Sequence, residues 1–168
     1  MGYNRGNRCH FVSLSGSEMP KFAKRRWASV FLGMSNHNID SKGRIVLPAK
    51  FREELGESFI VANGFHSNCV QVMSKTEYEN ISARIRQLPA KQAMAMQYNF
   101  TVTASEVTPN AQGRFVIPPA LRKIAKIEGE ALVLGMDTRI EIWSKEVYDE
   151  FMLSQQPVID EALENFVF

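Results

Sequence analysis

The chain has 168 residues, 45% of them hydrophobic, 10% aromatic and 23% charged, with a formal net charge of +2. This balance excludes collagen-like fibres, low-complexity fibres and a largely disordered chain, and the length suffices for one medium domain or two small ones in contact. Cys9 and Cys69 cannot make a disulfide framework, no Cys/His cluster has zinc spacing, and no apolar run approaches the roughly 20 residues of a membrane-spanning helix.

Residues 1–29 are basic, with Arg5, Arg8, Lys21, Lys24, Arg25 and Arg26 against Glu18. They contain no continuous apolar segment of the secretory kind. Gly6 stands where a myristoylation signal needs Ser or Thr. The rest of the chain holds 14 basic and 17 acidic residues, and from Glu146 onward six acids and no Lys or Arg. A soluble cytosolic protein is expected, and any nucleic-acid contact must come from local placement of charge.

Strands are predicted near 34–39 and 105–109, each entering a tight turn, Asp40–Gly43 or Asn110–Gly113. Asp or Asn there can bond backbone amides two residues on, and Gly tolerates positive φ. Short apolar strands follow, Ile45-Val46-Leu47 and Phe115-Val116-Ile117, then a proline opens a short helix at its first position. Phe51 and Leu55 face the core from the first of these helices. Further strands are expected at Phe59–Ala62 with Val70–Met73, and at Ala131–Leu134 with Ile140–Trp143. The second pair is expected to turn through Gly135-Met136-Asp137.

Ser74 and Glu77 form a capping-box pattern, followed by an apolar stripe of Tyr78, Ile81, Ile85 and Leu88. That stripe suits either a subunit contact or the chain's own core. Pro89 breaks this helix, and a second helical stretch runs from Ala90 to about Phe100. Ser144 is expected to cap a helix to Leu153, and Pro157 to start a last short one.

These elements repeat at a spacing of 70 residues. Asp40-Ser-Lys-Gly-Arg-Ile-Val-Leu-Pro48 aligns with Asn110-Ala-Gln-Gly-Arg-Phe-Val-Ile-Pro118, Val70-Gln-Val72 with Ile140-Glu-Ile142, and Ser74-Lys75-x-x-Tyr78 with Ser144-Lys145-x-x-Tyr148. Of 39 aligned positions only eight are identical, but they fall on the turn glycine, an arginine, a proline and the helix start. Neither repeat has enough strands to cover its own apolar face, so the halves must pack about a pseudo-two-fold axis into one α+β unit.

Enzymatic signatures are missing from the sequence: no G-x-G-x-x-G, no P-loop and no G-x-S-x-G. His10, His37 and His66 share no ligand or triad pattern, and His66-x-x-Cys69 lacks further metal partners. No cofactor, metal or small-molecule substrate is expected. The repeated turns differ from this background. Lys42, Arg44, Lys50 and Arg52 oppose only Asp40 within 38–52, and Arg114, Arg122, Lys123 and Lys126 oppose only Glu106 within 106–126. Two basic loops on an acidic body suit a nucleic-acid face. Alternatively, Asp40 and Arg44 pair within the turn as a structural staple, a reading Asn110 does not allow for Arg114, or the loops bind another anion.

Phe31-Leu-Gly33, Asn38-Ile-Asp-Ser-Lys-Gly-Arg-Ile-Val-Leu-Pro-Ala-Lys-Phe-Arg-Glu-Glu-Leu55 and Arg139-Ile-Glu-Ile-Trp-Ser144 resemble the bacterial MraZ proteins, over about residues 31–153. The resemblance implies two tandem AbrB-like repeats forming a swapped-hairpin β-barrel within one chain, with helices after each repeat. It also implies homo-oligomeric rings, binding to double-stranded DNA, nucleoid association, and regulation of the division and cell-wall cluster that contains the protein's own gene. The family's D-x-x-x-R signature maps onto Asp40 and Arg44, with Asn110 and Arg114 as its second, altered copy.

The expected organisation is therefore a basic extension at 1–29, repeats at 34–80 and 104–147, and an acidic helical segment at 148–168. The expected DNA-contacting residues are Lys42 and Arg44, Gln112 and Arg114 on the equivalent loop, and Arg52 and Arg122 toward the backbone. Val30 stands where family members begin with Met, so residues 1–29 are read as an upstream translation artefact, testable by mass spectrometry of the native N-terminus. A phosphate-contacting arm is the other reading. A ring-forming scaffold for acidic protein partners is the alternative function, and a hydrolase on the same barrel a weaker one.

Overall fold

A computed structural model describes residues 30–65 and 68–166. The readings placed on residues 1–29 and on His66 lie outside them. Eight strands and five α-helices appear among the described residues, in the order β1 (Phe31–Asn38), β2 (Arg44–Val46), α1 (Ala49–Leu55), β3 (Phe59–Asn63), β4 (Cys69–Met73), α2 (Lys75–Arg86), α3 (Ala90–Met96), β5 (Ser105–Val107), β6 (Arg114–Val116), α4 (Pro119–Ile124), β7 (Glu130–Asp137), β8 (Arg139–Ser144) and α5 (Lys145–Glu164). A single π-helical turn, Gln97–Thr101, extends α3. The fold is α+β with antiparallel sheet.

Six strands form one sheet in the order β1-β7-β8-β4-β3-β5, and β2 pairs with β6 as a separate two-stranded ribbon. The order is the same read from either edge once the repeats are exchanged, so the pseudo-two-fold axis runs between β4 and β8. Gln71 pairs with Glu141 in that register, and Ile45 pairs with Phe115 in the ribbon. Both pairs join positions 70 residues apart, so the axis threads sheet and ribbon together. The first strand of each repeat pairs with the other repeat's hairpin: β1 with β7, and β5 with β3.

Alternation along the strands sends Val61, Val70, Val72, Val133, Ile140 and Ile142 to one sheet face, where they meet Ile45, Leu47, Phe51, Phe115, Ile117 and Leu121 from the ribbon, its flanking residues and the short helices. Edge-on aromatic pairs lock this core, Phe31 with Phe51 at 5.6 Å and Phe59 with Phe115 at 5.2 Å between centroids. On the other face, Ile60, Ala62, Met73, Ile81, Ile85 and Phe100 form a second cluster under α2, and Cys69, Leu132, Leu134 and Trp143 a third under the first turns of α5. The α2 stripe thus serves the chain's own core. Only Leu88, 39% exposed, remains outside it.

Four local expectations are corrected. The β7–β8 hairpin does not turn at Gly135-Met136. Both residues stay in the strand, and the chain reverses after Asp137, whose φ is +59°. Gly135 is small because it faces Gly33 across β1–β7, where a Cβ would strike the backbone of Phe31 and Leu32. Pro157 does not start a new helix, because α5 runs unbroken from Lys145 to Glu164 around it. The carbonyl that this proline frees, on the 78%-exposed Leu153, is one that water can satisfy. Ser144 makes no capping bond and instead donates to Glu146 Oε2 at 2.7 Å, because the acid falls at the second helical position and Val147 at the third. Pro48 and Pro118 occupy the cap position just before α1 and α4, where the first helical position was expected. The Ser74 cap forms as expected, with Glu77 N–H donating to Ser74 Oγ at 3.2 Å.

Candidate nucleic-acid interface

Each repeated turn is closed by the side chain at its start. Asp40 Oδ1 accepts the N–H groups of Lys42 and Arg44, both at 3.0 Å, and Gly43 N–H donates to the Asp40 carbonyl at 2.8 Å. Asn110 Oδ1 accepts those of Gln112 at 3.0 Å and Arg114 at 2.9 Å, with Gly113 N–H on the Asn110 carbonyl at 2.8 Å. Gly43 and Gly113 both have φ of +75°. An amide oxygen thus builds the same turn as a carboxylate, because the turn needs an acceptor and not a charge.

The second oxygen separates the two turns. Asp40 Oδ2 accepts Arg44 Nε at 2.6 Å, the staple weighed from the sequence. Those amide bonds, from Arg44 first and Lys42 after it, together with the Arg44 guanidinium, hold the Asp40 carboxyl below its ordinary range against a smaller opposing desolvation. Asn110 carries no charge for such a pair, and the Arg114 guanidinium makes no hydrogen bond or ion pair among the described residues.

The ribbon aims these side chains. Ile45 and Phe115 point into the core, so Arg44 and Val46 on β2, and Arg114 and Val116 on β6, point outward. Arg44 stands opposite Val116 and Val46 opposite Arg114, which places the two arginines diagonally on one small face, roughly 7–8 Å apart at the backbone. Lys42 and Gln112 are exposed at the turn tips. A two-stranded ribbon of this kind fits the roughly 12 Å major groove of duplex DNA.

Arg52 and Arg122 are placed differently. Each lies over the turn glycine of the other repeat, Arg52 on Gly113 and Arg122 on Gly43, so closely that a Cβ on either glycine would collide with the arginine. Arg52 Nη1 approaches the Ala111 carbonyl at 3.5 Å, while its Nε is buried without a hydrogen-bond partner. Leu47 N–H donates to the Gly113 carbonyl at 3.1 Å and Ile117 N–H to that of Gly43 at 3.0 Å, so backbone bonds fasten the same exchange. The sequence places each arginine beside the turn of its own repeat; the fold moves it to the opposite one.

Lys123 and Lys126, which the sequence shows only as members of a basic window, lie with Arg122 along a cleft beside the Asp40 turn. The pairing register is the signal that finds them, and it is a property of the fold. No group of three or more His, Cys, Asp or Glu that could hold a metal occurs among the described residues, and no helix there is long and apolar enough to cross a membrane.

Comparison with known proteins agrees with this duplicated architecture. Residues 30–99 and 100–165 each match the family model of an antitoxin-like "MraZ protein". The chain is 44% identical to the transcriptional regulator MraZ of Caldanaerobacter subterraneus subsp. tengcongensis over 138 residues, covering 81% of this chain and 96% of that one. It is 39% identical to the protein of the same name from Desulforamulus reducens over 140 residues, 82% and 98% of the two chains, and 39% identical to that of Paenarthrobacter aurescens over 135 residues, 79% and 94%. Two matched repeats covering 30–165, and relatives this similar along nearly their whole length, place the chain in the MraZ family.

Proposed function

We propose that this chain is a DNA-binding transcriptional regulator that reads duplex DNA with the outer face of the β2–β6 ribbon. One observation carries the reading: Arg114 is exposed on that face, diagonal to Arg44, with no partner among the described residues. An unpaired guanidinium on a narrow ribbon can fork onto a guanine edge or a phosphate. Lys42 and Gln112 extend the contact at the turn tips. Arg52 and Arg122 hold the turns in place and add positive potential beside the backbone. The relatives' name, transcriptional regulator, supports the same reading.

The finer expectations belong to this proposal. The cross-repeat pairing of β1 with β7, β5 with β3, and β2 with β6 supports a swapped-hairpin barrel within one chain. A single ribbon offers few contacts, so homo-oligomeric rings that engage tandem promoter boxes would gain affinity through avidity. The target would be DNA upstream of the division and cell-wall cluster containing the protein's own gene, with the protein in the cytoplasm at the nucleoid.

The test is fluorescence anisotropy on duplex DNA from upstream of its own gene, with Arg114→Ala beside the parent chain. One bidentate contact is worth about 1–3 kcal/mol of discrimination, so the variant should lose roughly 5- to 150-fold in affinity with an unchanged melting temperature. Binding by the variant equal to the parent would remove the ribbon from the mechanism.

A further inference from the structure

Exchange of the arginines between repeats also redistributes charge along the ribbon. The Asp40 turn faces α4, and a cleft of about 350 Å³ between them is lined by Asp40, Ser41, Arg122, Lys123, Lys126 and Glu128, among others. Both carboxylate oxygens of Asp40 are already committed to Arg44 and the turn amides. Arg122, Lys123 and Lys126 form no ion pair among the described residues. The cleft therefore gathers three uncompensated cations, with Glu128 as the remaining acid.

At the other end the Asn110 turn faces α1, where the residues 70 positions before Lys123 and Lys126 are Glu53 and Gly56. Lys50 is drawn away, with its Nζ donating to the Leu32 carbonyl at 2.7 Å and lying 4.8 Å from the Phe51 ring centre. A second observation concerns Lys126 itself. Its φ is +52°, and its counterpart Gly56 is also positive at +84°. The left-handed region costs a residue with a side chain on the order of 1–2 kcal/mol, so the second repeat carries a lysine at a place where the first uses glycine. Strain kept beside a cationic cleft points to use of that side chain.

We propose that this cleft is a phosphate-binding site that seats a backbone phosphate of the bound duplex. Arg122 presents its planar fork, and Lys123 and Lys126 supply point charges to the remaining oxygens. The ribbon then has an anchoring end, at the Asp40 turn and α4, and an end without these two lysines, at the Asn110 turn and α1, where Glu53 and Gly56 take their places. This inference rests on the duplex-binding reading above and adds the residues that set its affinity without setting its sequence preference.

The experiment replaces both lysines by their first-repeat counterparts, Lys123→Glu with Lys126→Gly, and measures anisotropy across a salt series on upstream DNA and on an unrelated duplex. The expected result is a loss of about tenfold on both duplexes, and a salt slope shallower by about 0.9 or more, since each neutralised phosphate contributes that much. The ratio of the two affinities should hold, and the melting temperature should not fall, since glycine relieves the left-handed strain at position 126. Unchanged affinity and slope, while Arg114→Ala still loses binding, overturns the cleft and leaves the ribbon reading intact. A parent chain that binds no duplex overturns both. If inorganic phosphate then raises the parent's melting temperature above that in chloride at equal ionic strength, and not the variant's, the cleft takes free phosphate instead.

Discussion

The guanidinium of Arg52 lies over Gly113, a residue of the opposite repeat, and Arg122 covers Gly43 in the same way. Both glycines also hold φ of +75°, so two independent constraints act on one atom, the missing Cβ. Gly113→Ala should cost about 1–3 kcal/mol by urea denaturation, from the left-handed backbone and the displaced arginine together. Adding Arg52→Ala to that variant removes the collision and leaves the backbone cost. The two substitutions should therefore be less than additive, and strict additivity would show that the arginine does not press on the turn.

Asp40 and Asn110 make the same turn with opposite consequences for the arginine that follows. Asp40→Asn keeps the amide bonds and frees Arg44, and it should tighten duplex binding severalfold with little change in melting temperature, since exposed ion pairs contribute little. Asn110→Asp should capture Arg114 and weaken binding severalfold. Anisotropy at fixed salt checks both, and a change in the same direction for the pair would refute the argument.

Acid should act through a few carboxylates and one histidine. Asp40 is lowered by the amides and guanidinium it binds, Glu106 by hydrogen bonds from Lys75 and then Ser58, and Glu146 by the Ser144 hydroxyl and its own backbone amide. A carboxyl with a lowered folded pKa contributes stability above its unfolded value, near 4, and loses it as pH falls through the folded value. Stability should thus be flat above about pH 7 and begin to fall below about pH 6.5, as His37, whose pKa burial lowers, takes up a proton more readily when unfolded. It should fall further below about pH 4–5 through the carboxylates. Lys75→Met should shrink the part due to Glu106, whose partner lies at 2.6 Å. An unchanged acid midpoint in that variant would exclude the pair.

Cys69 is buried at 1% exposure between Leu132, Leu134 and Trp143. Burial first, and the Glu141 charge second, push its thiol far up, against a smaller opposing effect of Arg139. The thiolate is the reactive form. In a Cys9→Ser background the native protein should therefore resist iodoacetamide at pH 8 and react at once in denaturant. Rapid labelling of the native chain would contradict the packing under α5.

Some of this was legible in the residues and some was not. Gly43 and Gly113 were readable as turn glycines because Asp or Asn three positions earlier supplies the acceptor locally. Gly135 read as part of a Gly-Met-Asp hairpin turn between two apolar runs, yet its smallness answers Gly33 on a strand about one hundred residues earlier in the chain. Pro157 read as a helix start because proline lacks the N–H a helix interior uses, whereas α5 buries none of its residues and leaves the freed carbonyl to water. The staple between Asp40 and Arg44 was visible as one of three open readings, and the turn geometry supports it without touching Arg114.

The amino-acid sequence by itself determined the duplication, the two acceptor-closed glycine turns and the apolar strands, because each depends on contacts within a few residues. Tertiary structure alone decided that the repeats exchange their arginines, and that Arg122, Lys123 and Lys126 gather at one end of the ribbon. The physical reason is that strand partners are selected by burying the apolar face of one half against the other. That choice is made between residues 70 positions apart, such as Ile45 and Phe115, and local chemistry does not encode it.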